Sequence, residues 1–176
     1  AAMAMELALD SKTQYVAVCN AVETILIHQD IADSLLLPLA EALREQKVEI
    51  FGCDRTCQVL GCTAVTDWHR EYLDYKVSMR IVRDMNEAVE HINCFGSGHT
   101  DTIVTGNSEK ARKFMQSVDS GNVFWNCSTR FSDGFRYGFG AEVGISTSKI
   151  HARGPVGLEG LMTYKYQLFG SGQKVA

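Results

Sequence analysis

The sequence lacks an apolar run long enough to cross a membrane. A spanning helix needs about 20 consecutive apolar residues, whereas the longest runs, such as 34–40, are far shorter. Near Ala1 no basic segment leads into an apolar stretch, and Glu6 and Asp10 soon interrupt the early apolar residues. We therefore expect neither a membrane partner nor a secretory signal peptide.

The sequence also lacks a basic cluster. Its 17 Lys and Arg residues are scattered, and the formal net charge is −4. Domains that bind nucleic acid concentrate basic residues on one face, because the phosphate backbone dominates their affinity. This composition excludes a nucleic-acid partner and leaves small molecules or further copies of the chain.

The sequence also lacks the cysteine spacing that is typical of a structural metal site. Cys53, Cys57 and Cys62 lie near His69, but their separations do not match the paired knuckles of structural zinc sites. We therefore expect no metal.

Six cysteines without a secretory segment are typical of a reducing compartment, so we expect free thiols and a cytoplasmic location.

The glycine pattern does not match a dinucleotide-binding fingerprint. Gly138, Gly140 and Gly144 come close to G-x-G-x-x-G, but the third glycine is one residue late and no capped helix follows. These residues are therefore not expected to hold the phosphates of a nicotinamide cofactor.

An alternation of short apolar runs with capped amphipathic segments is present throughout the first 126 residues. With 45% hydrophobic residues, the chain is long enough for one packed domain. The alternation predicts an α/β fold, a three-layer domain with a mainly parallel sheet. Strands are predicted at 23–28, 48–52, 75–82, 101–105 and 122–126, and helices from Asp30 (with Pro38 inside), Asp54, Asp84 and Asn107 or Ser108.

Cys19 follows a short apolar run and is predicted to stand at the start of a helical turn. At such a position the unpaired backbone N–H groups favour the thiolate, which makes the residue a candidate nucleophile. The alternative interpretation is a small buried hydrophobic residue, which describes most free cysteines.

Two segments after Asn126 are unlike the rest. Residues 127–140 form an irregular stretch rich in glycine and aromatic residues, and long irregular loops in compact domains are usually functional. Leu158 to Phe169 alternates in polarity and is predicted to be a strand that pairs with another subunit, since no hairpin neighbour adjoins it. The abrupt start at Ala1 leads us to expect a fragment of a longer protein.

Three strings carry a resemblance to a known family: VCNAVETILIH from Val18, SGHTDTIVT from Ser97, and NCSTRFSDGFRYGFGAEVGISTSKIHARGPVGLEGL from Asn126. The sequence resembles the γ-glutamyl phosphate reductases, also called glutamate-5-semialdehyde dehydrogenases, of the aldehyde dehydrogenase superfamily. It matches their C-terminal part, or the same part of a fused pyrroline-5-carboxylate synthase. The resemblance implies an aldehyde dehydrogenase-like catalytic domain at 1–155 and an oligomerisation strand with a tail at 156–176.

The resemblance also implies a chemistry. Cys19 would attack γ-glutamyl phosphate to form a thioester, NADPH would reduce that thioester to glutamate 5-semialdehyde, and a backbone N–H near Asn20 would stabilise the oxyanion. The cofactor residues would lie mostly in an absent N-terminal domain. Glutamate 5-kinase would be a pathway neighbour or fused domain, the enzyme would be a homo-oligomer, and a fused eukaryotic synthase would be mitochondrial.

The substrate-binding residues implied by the resemblance lie mainly in the irregular loop. The alternative interpretation of Arg130 is a member of a surface ion pair, and that of His99 is an ordinary hydrogen-bonded histidine. Asp133 and Glu142 could meet the substrate amine. The predicted set is Asn126, Ser128, Thr129, Arg130, Gly138, Gly140 and His99. An aldehyde-oxidising relative and a catalytically silent oligomerisation module remain alternative functions.

Overall fold

A computed structural model describes residues 1–176. The helices are α1 (Ala2–Thr13), α2 (Gln29–Glu45), α3 (Asp54–Leu60), α4 (Met85–Phe95) and α5 (Ser108–Ser117). The strands are β1 (Thr24–His28), β2 (Glu49–Gly52), β3 (Thr63–Ala64), β4 (Lys76–Val82), β5 (Thr100–Ile103), β6 (Asn122–Trp125), β7 (Gly144–Ser146) and β8 (Gly154–Val156). Short 3₁₀ turns cover Thr129–Phe131 and Leu158–Leu161.

The strands form three separate sheets. The largest is fully parallel with the order β1-β4-β2-β3, and Thr24 stands opposite Ser78 at its β1 edge. β5 and β6 form a second parallel pair, and β7 and β8 form an antiparallel hairpin. The predicted α/β class and parallel pairing are confirmed, whereas the prediction of one sheet is wrong because β5 and β6 do not bond to the other strands.

The core lies between α2 and the large sheet. Leu36, Leu39 and Leu43 follow the helical repeat, and each is at most 2% exposed. They pack against apolar residues of β1, β2 and β4, including Ile27, Ile50 and Met79. Pro38 lies inside α2, as predicted, and it is exposed. This packing is the main source of hydrophobic stabilisation in the chain.

The predicted caps of two helices are confirmed. The Asp84 carboxylate accepts a hydrogen bond from the backbone N–H of Glu87 at the start of α4. The Asn107 side chain accepts from two backbone N–H groups at the start of α5. For α3 the cap position belongs to Cys53, so the helix begins one residue earlier than a cap at Asp54 predicts.

Several elements differ from the sequence prediction. α1 was not predicted, because the residues it buries are Ser11 and Lys12 rather than an apolar stripe. β7 and β8 were not predicted, since three-residue strands with Gly and Pro carry little strand signal. The predicted strand over 158–169 is wrong for this chain, where a 3₁₀ turn is followed by an exposed segment without regular structure. No helix combines the length and apolar character needed to cross a membrane.

A buried histidine joins α4 to the large sheet. Arg80 of β4 donates to His91 Nδ1 over 2.9 Å and pairs with Glu87 over 2.9 Å. The Trp68 ring meets the His91 ring edge-on, with centroids 4.9 Å apart. Burial, followed by the Arg80 charge, lowers the pKa of His91 to about 4. His91 is therefore neutral in the fold, because an arginine can only donate and Nδ1 must accept.

This arrangement predicts a loss of stability in mild acid. The folded pKa of His91 lies below the unfolded value of about 6.5, so the unfolded state binds more protons between the two values. The stabilisation is complete above pH 6.5 and is lost as pH falls toward 4, with a slope of up to about 1.4 kcal/mol per pH unit. Urea unfolding at a series of pH values should show that His91→Gln reduces this slope while His151→Gln, at an exposed site, leaves it unchanged. Equal slopes in all three proteins would contradict the assignment.

Candidate active site

Cys19 lies in a turn rather than at a helix start. α1 ends at Thr13, the chain turns through 16–20, and β1 begins at Thr24. The turn is closed by the Ala21 N–H, which donates to the carbonyl of Val18 over 3.0 Å. The predicted helix start at Cys19 is wrong, because the helix of this region precedes the cysteine and the chain passes directly into a strand.

The electrostatic environment of Cys19 also differs from the prediction. Partial burial of the thiol raises the pKa of Cys19, and the Glu142 and Glu71 carboxylates add to that rise. A backbone hydrogen bond and the Arg130 charge act in the opposite direction without reversing it. In this chain the Cys19 thiol is therefore protonated at neutral pH. The residue is nevertheless exposed and accessible.

The cysteine at a helix start is Cys53. It occupies the cap position of α3, and its Sγ lies 3.3 Å from the Thr56 hydroxyl. Although burial opposes the change, hydrogen bonds from Thr56 and from the first backbone N–H groups of α3 lower the pKa of Cys53. The effect that a helix start was expected to have on Cys19 is therefore found at Cys53.

Buried hydrogen bonds fasten the Cys19 turn to the irregular loop. Asn20 Nδ2 donates to the carbonyl of Ser132 over 2.8 Å, and Thr129 Oγ1 donates to the carbonyl of Asn20 over 2.6 Å. From α1, the Ser11 hydroxyl lies 3.1 Å from that of Ser128. The predicted residues Asn20, Ser128 and Thr129 are thus brought together beside Cys19, with both loop hydroxyls engaged by the protein.

Arg130 is directed to the same turn. Its Nε donates to Gln14 Oε1 over 2.7 Å, and its charge acts on the Cys19 thiol. Its two terminal guanidinium nitrogens have no hydrogen-bond partner in the protein, and it forms no salt bridge. The alternative of a surface ion pair is therefore wrong, and the fork of the guanidinium is available to an anion.

His99 is buried at the start of the β5–β6 pair. Its Nδ1 lies 2.6 Å from the Thr100 hydroxyl, and its Nε2 has no partner. Burial lowers the pKa of His99, so the ring is neutral. Two other buried atoms without a partner are Asn20 Oδ1 and Ser132 Oγ. Such orphaned groups are found where a water or ligand completes the site.

The remaining predicted residues lie further from Cys19 along the loop or have their polar groups occupied. The Asn126 side chain bonds twice to the backbone of Thr105, joining the ends of β5 and β6. Gly138 and Gly140 adopt φ values of +79° and +68°, which require glycine. Arg153 is bound by Asp119, which ties the β7–β8 hairpin to the segment after α5.

Cys19 lies on the wall of a cavity of about 870 Å³. The unpaired edge of β1 forms one side of this cavity, and β5 with the residues after it forms another. Glu71 and Thr129 line it close to the cysteine. The volume is in the range of small-molecule sites.

Three contributors to this site were not predicted from the sequence. Ser11 of α1 and Gln14, which follows the end of α1, hold the loop, and Ser132 accepts from Asn20 through its carbonyl. None of these three residues belongs to a local motif, because each acts through a contact that is distant in sequence. Glu142 was considered only for a substrate amine, but its carboxylate accepts from the Gly134 N–H over 2.8 Å.

The chain is similar to known proteins of one family. The curated γ-glutamyl phosphate reductases of Acetivibrio thermocellus and Pelotomaculum thermopropionicum are 63% and 62% identical to the chain over 98% of its length. The chain spans about 41% and 40% of those relatives. The crystal structure of γ-glutamyl phosphate reductase from Thermotoga maritima is 41% identical, with a TM-score of 0.95, over 98% of this chain and 42% of that one.

The aldehyde dehydrogenase family pattern matches residues 77–166, more than half of the 176 residues. The resemblance to γ-glutamyl phosphate reductases is thereby confirmed, and the chain belongs to the aldehyde dehydrogenase family.

Proposed function

We propose that this chain is the catalytic part of an enzyme that converts γ-glutamyl phosphate to glutamate 5-semialdehyde and phosphate, as a step of proline biosynthesis. The observation that carries the proposal is the accessible Cys19, which lies on the wall of a cavity, on a turn held by hydrogen bonds, where the Arg130 charge acts on its thiol. The high identity to relatives named for this activity supports the choice of substrate.

The proposed reaction begins with attack of Cys19 Sγ on the acyl carbon of the substrate. A C–S bond forms, the bond from carbon to the phosphate oxygen breaks, and inorganic phosphate leaves with the bonding electron pair. Arg130 is positioned to bind the leaving phosphate through its unpaired terminal nitrogens. Backbone N–H groups of the turn that contains Cys19 and Asn20 are proposed to stabilise the oxyanion.

For Cys19 to react as a thiolate, the surroundings of its thiol must differ from those in the isolated chain. Burial keeps the Cys19 thiol protonated here, and the Arg130 charge is the cationic influence that favours ionisation. We propose that the remainder of the polypeptide supplies further donors near Sγ. A nicotinamide cofactor, which we propose to be NADPH, supplies the hydride that reduces the thioester.

The cofactor is proposed to bind outside this chain. In 1–176 no glycine-rich turn leads from a parallel strand into a helix, and Gly138 and Gly140 lie in an exposed loop. The relatives are more than twice as long as the chain. Residues 1–155 are accordingly proposed as a catalytic domain that works with a separate cofactor-binding domain.

The open side of the catalytic domain supports this division. β1 is bonded only to β4, and β5 only to β6, so backbone groups at both edges face the cavity between them without strand partners. Unpaired backbone groups in a partly enclosed space are costly. We propose that polypeptide outside this chain completes the hydrogen bonding at these edges.

The biological context is proposed from the same chemistry. A labile acyl phosphate must be supplied by a kinase, so glutamate 5-kinase is proposed as a pathway neighbour or fused domain. The six cysteines are free thiols in the structure, which supports a reducing compartment such as the cytoplasm.

Replacement of Cys19 tests the proposed nucleophile. In the complete protein Cys19→Ala should lower kcat by about 10³-fold or more, because no thioester can form. The affinity for NADPH, measured by calorimetry, should stay the same. Cys127→Ala is the matched control and should remain active. A parallel loss of NADPH affinity would show that Cys19 has a structural role instead.

The proposed function needs phosphate for the oxidative reaction, whereas the aldehyde-oxidising alternative does not. Glu71 and Glu142 act on Cys19 electrostatically and are the carboxylates that the alternative would use to activate water. With glutamate semialdehyde and NADP⁺, the proposed function requires added phosphate for turnover. Turnover without phosphate would favour the oxidising alternative.

Replacement of Arg130 tests phosphate recognition. Arg130→Lys keeps the charge but removes the planar fork, so we expect the KM for phosphate in the oxidative direction to rise about tenfold. Arg112→Lys, at an exposed position of α5, should leave this KM unchanged. An unaltered KM in both variants would show that Arg130 only holds Gln14.

The C-terminal segment is proposed to contact another subunit. Tyr166, Leu168 and Phe169 are each at least 90% exposed, which is unusual for three large apolar side chains so close together. Truncation after Pro155 should lower the mass of the complete protein in light scattering, and Leu168→Asp should weaken the assembly. Ile150→Asp, exposed in the β7–β8 loop, serves as the control. An unchanged mass after truncation would exclude the segment as an interface.

A further inference from the structure

Two cysteines outside the proposed active site lie against each other. The Sγ atoms of Cys57 and Cys62 are 3.0 Å apart; Cys57 lies on the last turn of α3, and Cys62 lies two residues beyond its end. Neither belongs to the cavity beside Cys19. We infer that Cys57 and Cys62 form a vicinal dithiol that closes reversibly to a disulfide when a low-molecular-weight disulfide is present.

The turn after α3 is the reason for this proximity. Gly61 adopts φ = +62°, and its N–H donates to the Cys57 carbonyl over 2.9 Å. A left-handed residue at this position reverses the chain and places the next side chain against the helix residue that accepts the bond. Those two side chains are Cys62 and Cys57, so a common helix-ending motif carries thiols where apolar groups usually meet.

A close backbone contact keeps the sulfurs in place. Cys57 Sγ donates to the Gly52 carbonyl over 3.4 Å. A methyl group added at Gly52 would approach Cys62 Sγ to 2.9 Å, which shows that this sulfur rests directly on the glycine. Both thiols are therefore confined to one side of β2, and they remain half-buried rather than sealed in the core.

The proposed step is a two-electron exchange. The Cys57 thiolate attacks one sulfur of the external disulfide, RSSR, and the first RS⁻ leaves. The Cys62 thiolate then attacks Cys57 Sγ, forms the internal S–S bond and expels the second RS⁻. The two protons of the original thiols finish on two RSH molecules, so the cysteine pair is oxidised and the external disulfide is reduced.

The chain offers a direct measurement because trypsin separates the relevant cysteines. Cleavage after Lys47, Arg55 and Arg70 puts Cys57 and Cys62 together in peptide 56–70 and puts Cys53 in peptide 48–55. The complete protein is exposed to oxidised glutathione, alkylated with N-ethylmaleimide under denaturing conditions, digested and weighed. Peptide 56–70 should lack both alkyl groups and be lighter than the reduced peptide by two hydrogen atoms.

Two variants make the result decisive. In Cys62→Ser the internal bond cannot form, so peptide 56–70 should carry glutathione on Cys57. Cys94→Ser, at an exposed position of α4, should still close the pair. One equivalent of phenylarsine oxide, which requires two adjacent thiols, should bind at this pair. This binding should be lost in Cys62→Ser. Glutathione or alkyl groups on both cysteines of the oxidised wild-type peptide would overturn the inference.

Discussion

The position of Cys19 depends on a buried ion pair. Lys12 Nζ lies 3.2 Å from Glu23 Oε2, and the Lys12 side chain is fully enclosed. Burial lowers the pKa of Lys12 and raises that of Glu23, whereas their mutual attraction opposes both changes. The two residues close the segment 12–23, which contains Cys19. Loss of one partner from such a pair costs about 3–5 kcal/mol, because the other charge is left buried alone.

The ion pair explains why polar residues occupy positions that usually hold a hydrophobic core. Glu23 Oε1 also accepts the Leu73 N–H over 3.2 Å, so one carboxylate joins α1, the start of β1 and the loop before β4. Ser11 adds a backbone bond to Val22 and side-chain contacts to the loop at Ser128. A network of directed bonds fixes the register of a turn more strictly than apolar packing, and a nucleophile needs that precision.

Positioning and ionisation of Cys19 are separate properties in this chain. Two hydrogen bonds from the loop hold the turn at Asn20, and two more join the loop to Ser11 of α1. The same surroundings raise the pKa of the thiol, because partial burial and two carboxylates outweigh one arginine. At Cys53, which stands at a helix start, the pKa of the thiol is lowered instead. The proposed enzyme therefore needs groups from outside 1–176 to obtain a reactive thiolate.

The sequence predicted those elements whose signals are local. The apolar repeat of α2, the caps at Asp84 and Asn107 and the β-branched strands each act within a few residues, and the structure contains them. α1 escaped prediction because its buried residues are polar and find their partners at Glu23 and Ser128. Cys19 was singled out by its predicted position and by the resemblance, and Thr129 and Arg130 through the resemblance. Ser11, Gln14 and Ser132 instead depend on contacts more than 100 residues apart along the chain, as in the Ser11–Ser128 separation of 117. No local pattern records such contacts.

Cys19 is proposed to carry the acyl group, and trapping that group tests this role directly. The complete protein is mixed with glutamate semialdehyde and NADP⁺ without phosphate, quenched in acid and digested with trypsin. Cys19 is the only cysteine in peptide 13–44. We expect a glutamyl group on this peptide. The group should disappear when phosphate is added before the quench. A glutamyl group on Cys53 or Cys127 instead, or NADPH formation with no group on any cysteine, would contradict it.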